Sequence, residues 1–203
     1  SETQILHMIR ETCGDRFEEG RSIDQQLTFV YAQAYFEKKK VKLEREQMRT
    51  LGLIGADGMY TNLGMLLSDQ CVPTIKLAVF EGSKKTVFRD RKEVRGSLLT
   101  QLEEAYAYID FFNRTRAEFY GLDRMDQRYY PPEAVREALL NALIHREYDM
   151  TASTLISMFD DRMEMVTVGG LVKGISPEDI QLGVSVLRNP GLGNIFYRLR
   201  LIE

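Results

Sequence analysis

Histidine and cysteine are scarce in this chain, two of each among 203 residues. Two histidines leave little scope for a zinc site. Cys13 and Cys71 form no metal or redox pair in sequence, so reduced thiols in a cytoplasmic protein are the expectation. Long apolar runs are missing as well: none approaches the length of a membrane span, and no secretory signal is visible. Charge of one sign is not in excess. The 27 Lys and Arg residues face 30 Asp and Glu, and a net charge of −3 gives no global pull towards nucleic acid or anionic lipid. No Gly-x-x-x-x-Gly-Lys-Ser/Thr segment occurs, which excludes the phosphate loop of motor ATPases. Internal repeats and low-complexity tracts are absent too.

What is present is an ordinary globular composition, 44% hydrophobic and 28% charged. The length suffices for one large core or two small ones. Spacing predicts a short helix over Glu2–Glu11 and a loop from Gly14 to Arg21. Helix is expected in the second half of Leu27–Phe36, then a short amphipathic helix within the charged stretch Lys38–Arg49. The charges of that stretch nearly cancel, so it reads as solvated surface. Thr61 or Asn62 caps Leu63–Leu67, and Ile75–Phe80 alternates as a strand. Strand resumes over Thr86–Arg89, and Ser97 caps a helix reaching about Phe112. Arg114–Tyr130 reads as strand with a turn near Gly121. Thr154–Phe159 and Met163–Val168 form a hairpin around Asp160-Asp161, and Pro177 and Pro190 each open a helical segment. The class is α/β (α+β): a mixed sheet with helices on one face. The start at Ser1 and the end at Glu203, without cap or tail, suggest a fragment of something longer.

The chain is organised around Tyr129–Tyr148, YYPPEAVREALLNALIHREY. Two prolines open it, Glu133 suits the positive end of the helix dipole, and propensity agrees with helix to His145. Ala134, Val135, Ala138, Leu139, Leu140, Ala142, Leu143 and Ile144 nearly encircle the helix, which predicts burial. Glu133, Glu137, Asn141 and His145 recur every fourth residue and trace one polar line along it. Buried polar groups need partners. Either neighbouring backbone satisfies this line, or it faces a ligand cavity. Facing a cavity, Asn141 can offer Mg²⁺ a neutral amide oxygen, and Glu137 can hold or activate a water beside a terminal phosphate. Gly169-Gly170 lets backbone approach a base or phosphate closely, though a plain turn needs the same glycines. His145 is expected to bond the last helical carbonyls, Arg146 and Glu147 to lie on the surface or at an interface, and Asn189 to cap the last helix, whose start is a natural anion site.

The ordered set Tyr130–Tyr148, Phe159–Glu164, Gly169-Gly170-Leu171 and Arg188-Asn189-Pro190, with Gly58–Leu67 and Ile75–Gly82 upstream, resembles a known family. It is similar to the ATP-binding fold of gyrase, mismatch-repair and histidine-kinase ATPases, the GHKL superfamily. It more nearly resembles bacterial RecG-related transcriptional regulators, which join an AlbA-type (Schlafen-like) DNA-binding domain, an ATPase-like domain and often a winged helix. The likeness runs from about Leu27 onward. It implies a smaller upstream α+β region over residues 1–124, following an AlbA-type domain outside this chain, and a GHKL-like ATPase core over 125–203, cut short before the glycine box that cradles phosphates. It also implies Glu137 as general base, Asn141 as magnesium ligand, and Gly169 and Gly170 as the first glycine box. Thr167 stands where the superfamily places the Asp that accepts the adenine amino group, a hydrogen bond without charge assistance. The implied cofactors are ATP and Mg²⁺ with weak Mg-dependent ATPase activity, the implied partners DNA through a neighbouring domain and a second copy of the chain, with no membrane. Two other readings stand beside this one. A degenerate, non-hydrolysing dimerisation scaffold fits the missing Asp, and direct DNA binding rests on basic residues near Lys38 and Lys84.

Overall fold

The computed structural model of the protein describes residues 16–172, 174–182 and 186–202. The helix expected over Glu2–Glu11, and Cys13, lie outside the described residues. A 3-10 turn, Phe17–Glu19, leads to α1 (Val30–Lys38), α2 (Arg45–Thr50) and α3 (Asn62–Leu67). Next come β1 (Ile75–Phe80), β2 (Phe88–Val94), α4 (Leu98–Phe112), β3 (Thr115–Tyr120), β4 (Asp123–Arg128) and α5 (Pro132–Ile144). Last are β5 (Thr154–Met158), β6 (Met163–Val166), α6 (Pro177–Gln181) and α7 (Pro190–Arg198).

Local chemistry sets most of these boundaries. Thr61 Oγ1 accepts the Gly64 N–H at 3.1 Å at the start of α3, and Ser97 Oγ accepts the Leu99 N–H at 3.4 Å at the start of α4. Both α5 and α7 open on proline, where the missing N–H is no loss. Strand β2 runs on to Val94, longer than the Thr86–Arg89 expected, because pairing with β1 supplies what its exposed, charged sequence does not.

One four-stranded sheet, in the order β2-β1-β5-β6, carries the fold; β1 and β5 are parallel and the outer pairs antiparallel. The register sets Ile75, Leu77 and Val79 of β1 beside Thr154, Ile156 and Met158 of β5, all buried. Their alternates, Lys76 and Leu155, are exposed, so the core lies on one face of a mixed sheet, where the helices are. That face shares one core with Leu98, Leu99, Leu102, Ala105 and Ile109 of α4 and Leu139, Leu140 and Leu143 of α5, and Leu192, Ile195 and Phe196 of α7 join it through α5. Each of the leucine, isoleucine and phenylalanine side chains contributes about 1.5–3 kcal/mol on leaving water. The hairpin β3–β4 forms a separate two-stranded sheet, turning at Gly121 with a φ of +66°. The division placed between residues 124 and 125 falls inside β4, and the main sheet takes strands from both sides of it. No helix among the described residues is long and apolar enough to cross a membrane.

Candidate functional site

Helix α5 is amphipathic, not buried all round. Val135, Leu139, Leu140, Ala142, Leu143 and Ile144 are buried, whereas Glu133, Ala134, Arg136, Glu137 and Asn141 are exposed. The alanines made the apolar stripe look wider than it is: Ala134 and Ala138 add little hydrophobic area and sit on the outer side. The polar line therefore faces open space, not neighbouring main chain.

That space is a cleft of ≈ 440 Å³, with Arg136, Glu137, Asn141 and His145 on the α5 side and Leu187 and Ile202 across it. Its volume lies in the range of about 300–1,000 Å³ usual for small-molecule sites. Asn141 Nδ2 donates to Glu137 Oε1 at 3.0 Å, one helical turn away. The bond orients both groups and leaves Asn141 Oδ1 without a hydrogen bond among the described residues.

His145 follows at the C-terminal end of the helix. Burial, and then the Arg188 charge, hold its imidazole below the usual range, so it is neutral at pH 7. It stands at the C-cap position, its backbone N–H donating to Asn141 O at 3.0 Å, but its ring makes no hydrogen bond to the last helical carbonyls among the described residues. The Asn189 amide takes up those carbonyls from another element, Nδ2 donating to Ile144 O at 2.7 Å and to Arg146 O at 2.8 Å. Asn189 consequently leaves its own helix uncapped, and Glu18 takes that place. The Glu18 carboxylate accepts the Gly191 N–H at 2.6 Å and the Leu192 N–H at 3.1 Å, so the start of α7 already holds an anion of the chain's own.

Arg146 and Glu147, expected on the surface or at an interface, are buried within the chain at 1% and 7% exposure. Arg146 donates Nη1 to Thr154 Oγ1 at 2.8 Å and Nη2 to the carbonyls of Ala152 and Met150, and its guanidinium lies 5.4 Å from the Tyr148 ring centre. These partners offset the cost of burying a cation. Close by, burial pushes the Cys71 thiol up to about 12, which makes it a core residue and not a nucleophile.

Thr167 sits just past β6. Its hydroxyl donates to Ala142 O at 3.2 Å and lies 3.3 Å from Thr154 Oγ1, which ties the strand's exit to α5. Beyond it the Glu147 N–H reaches Val168 O at 2.9 Å. Gly169 takes a φ of +118°, with its Cα so close to Glu147 that a methyl group would stand 3.0 Å from Glu147 Cβ. Arg188 closes the turn by pairing with Glu147 and donating Nη2 to Gly170 O at 2.9 Å. Of the five expected site residues, Glu137 and Asn141 line the cleft, while Thr167, Gly169 and Gly170 are not among its lining. Arg136, Glu147 and Arg188 complete the surroundings. Their one sequence signal was proximity to the helix and to the glycine turn.

An ion with nucleotide fits the donors present. Magnesium takes one or two protein oxygens and completes its shell with water and phosphate; Asn141 Oδ1 is such an oxygen, with the Glu137 carboxylate one turn away. A site made by protein alone does not fit, since no group of three or more His, Cys, Asp or Glu residues able to hold a metal occurs among the described residues.

Residues 152–203 match the family model described as "Putative ATP-dependent DNA helicase recG C-terminal". The match takes in β5 through α7, less than half of the chain, and relates this region to a RecG-type, ATPase-like C-terminal domain. No curated protein matches the chain. Among solved structures, the crystal structure of the DIP2311 protein from Corynebacterium diphtheriae is similar over 99% of this chain, with a TM-score of 0.78 and 22% identity. At that identity the likeness speaks for the fold. This chain spans 42% of that protein's chain. The mixed α+β architecture is thus shared with a solved protein, and its C-terminal quarter is similar to a RecG-type family.

Proposed function

We propose that this chain is the nucleotide-binding regulatory module of a cytoplasmic DNA-binding transcriptional regulator of the RecG-related, GHKL-like kind. The observation that carries the reading is the pair Glu137–Asn141, held one turn apart and opening together into a 440 Å³ cleft beside a region related to a RecG-type ATPase-like domain. Asn141 Oδ1 would hold Mg²⁺, with Thr167, Gly169 and Gly170 lying towards the base. The ion, when bound, neutralises phosphate charge.

Glu137 takes the proton of a water held in the cleft, its carboxylate aimed by the Asn141 amide. His145, neutral, contributes no competing charge. Arg136, also on the cleft wall, offers donors to an anionic ligand. DNA contact belongs to a neighbouring domain outside this chain, and the module works as a homo-oligomer, its residues 1–124 and 125–203 acting as upstream region and ATPase core. Phosphate release from ATP and Mg²⁺ tests the catalytic part. Glu137→Gln is expected to keep nucleotide binding and lose turnover by about 10²–10⁴-fold. Unchanged turnover removes Glu137 as the base.

One observation favours the scaffold reading. The Thr167 hydroxyl donates its proton to Ala142 O, and what remains for an adenine amino group is an acceptor shared with Thr154. Sedimentation separates the two: a dimer that forms equally with and without ATP, and binds none, is the scaffold.

A further inference from the structure

A second cleft, of ≈ 360 Å³, opens between α1, α4 and α5 beside the turn that follows α7. Its walls are apolar: Leu102, Leu140 and Leu201, with the rings of Tyr35 and Tyr106. Two charged residues reach it, and they are not equivalent. The Glu103 carboxylate is already engaged, one oxygen by the Tyr31 hydroxyl and the other by Lys38 Nζ at 3.1 Å. Arg136 spends one N–H on the Leu201 carbonyl and has no carboxylate partner among the described residues.

The tyrosines tip the balance further towards donors. Tyr35 and Tyr106 set two phenol hydroxyls on the cleft wall, and neither makes a hydrogen bond among the described residues. Burial and the Glu103 charge hold the Tyr35 proton in place, leaving it a donor. Apolar walls with surplus donors and one unpaired cation call for a ligand with an apolar body and an anionic, acceptor-rich head.

We propose that this cleft binds an apolar monocarboxylate, its ring or chain between Leu102, Leu140 and Tyr106 and its carboxylate towards Arg136 and Tyr35. The site is separate from the nucleotide reading and does not depend on it. Arg136 borders both clefts, so position must be read from the apolar walls.

The test uses 4-phenylbutyrate and decanoate as probes, with the matching alcohols 4-phenylbutanol and decanol. They are titrated into the 203-residue chain while methyl resonances are followed by NMR. Saturable shifts at Leu102, Leu140 and Leu201 are expected, with the acids about tenfold tighter than the alcohols. Arg136→Met, which keeps the apolar stem, is expected to abolish that preference. Comparison of the two acids tells a ring-shaped body from a chain-shaped one. Shifts that centre on Asn141 and His145, equal binding of acid and alcohol, or no saturation up to the solubility limit would each overturn the proposal. Should Arg136→Met fail to fold, the acid-against-alcohol comparison on the unmodified chain decides.

Discussion

Replacing Asn189 with alanine tests how α5 and α7 are joined. Asn189 is 2% exposed, and its amide donates two hydrogen bonds, at 2.7 and 2.8 Å, to carbonyls at the end of α5. Truncation leaves both carbonyls buried and unpaired. At about 1–3 kcal/mol for each of the two orphaned acceptors, the loss is about 2–6 kcal/mol. The backbone bond from the Gly193 N–H to Asn189 O, at 2.9 Å, survives the change, so α7 itself should still start at the same place. Urea unfolding followed by circular dichroism reads the loss as a lower midpoint with an unchanged slope. Asn189→Asp sharpens the test, since it has the same shape but sets a carboxylate against two carbonyl oxygens. It should be worse than alanine at neutral pH and recover as acid restores a single O–H donor. An alanine variant losing under about 0.5 kcal/mol, or an aspartate variant with no pH dependence, would refute the inter-helix cap.

Other outcomes follow from the same structure. Burial outweighs the two amide bonds and lifts the Glu18 carboxyl above its usual 4.5, so the folded chain holds that proton more tightly than the unfolded one. Its contribution to stability is then complete below pH 4.5 and is lost as pH rises through the folded value. Unfolding free energies measured from acid to neutral pH should therefore fall in the wild type relative to Glu18→Gln, and parallel curves would contradict this. Gly169→Ala forces a left-handed φ on alanine and a 3.0 Å contact with Glu147 Cβ, for a cost of about 1–3 kcal/mol in thermal melts. Arg188→Met strands the Glu147 carboxylate, whose side chain is 10% exposed, at a cost of up to about 3–5 kcal/mol. Most of that loss should return in the double variant with Glu147→Met, and a double-mutant cycle measures it.

What could be read from the sequence was what short-range chemistry decides. Thr61, Ser97, Pro132 and Pro190 announce helix starts because a cap needs three or four neighbouring residues and nothing else. The hairpin around Asp160-Asp161 was visible for the same reason, as was the alternation along its first strand, though not that Thr154, Ile156 and Met158 form the buried side. Glu137 and Asn141 could be placed on one face from spacing alone.

What could not be read depends on groups far apart in the chain. The parallel pairing of β1 with β5, which builds one sheet from both halves, leaves no mark in either strand. Glu18 meets Gly191 across 173 residues, and a glutamate in a polar loop carries no sign that a helix end will bury it. Arg146 and Glu147 read as surface because of their charge; burial became tolerable only once Thr154, Ala152 and Arg188 arrived from elsewhere. For α5 the error was one of weight. Counting alanine as fully apolar closed a polar face that is open.

The central claim, that the Glu137–Asn141 cleft binds nucleotide, is tested most directly by calorimetric titration of this chain with ATP in the presence of Mg²⁺. A saturable heat that weakens about tenfold or more in Asn141→Ala, while the variant's melting curve stays in place, is the predicted result. No heat at all, or one indifferent to Asn141, would contradict it.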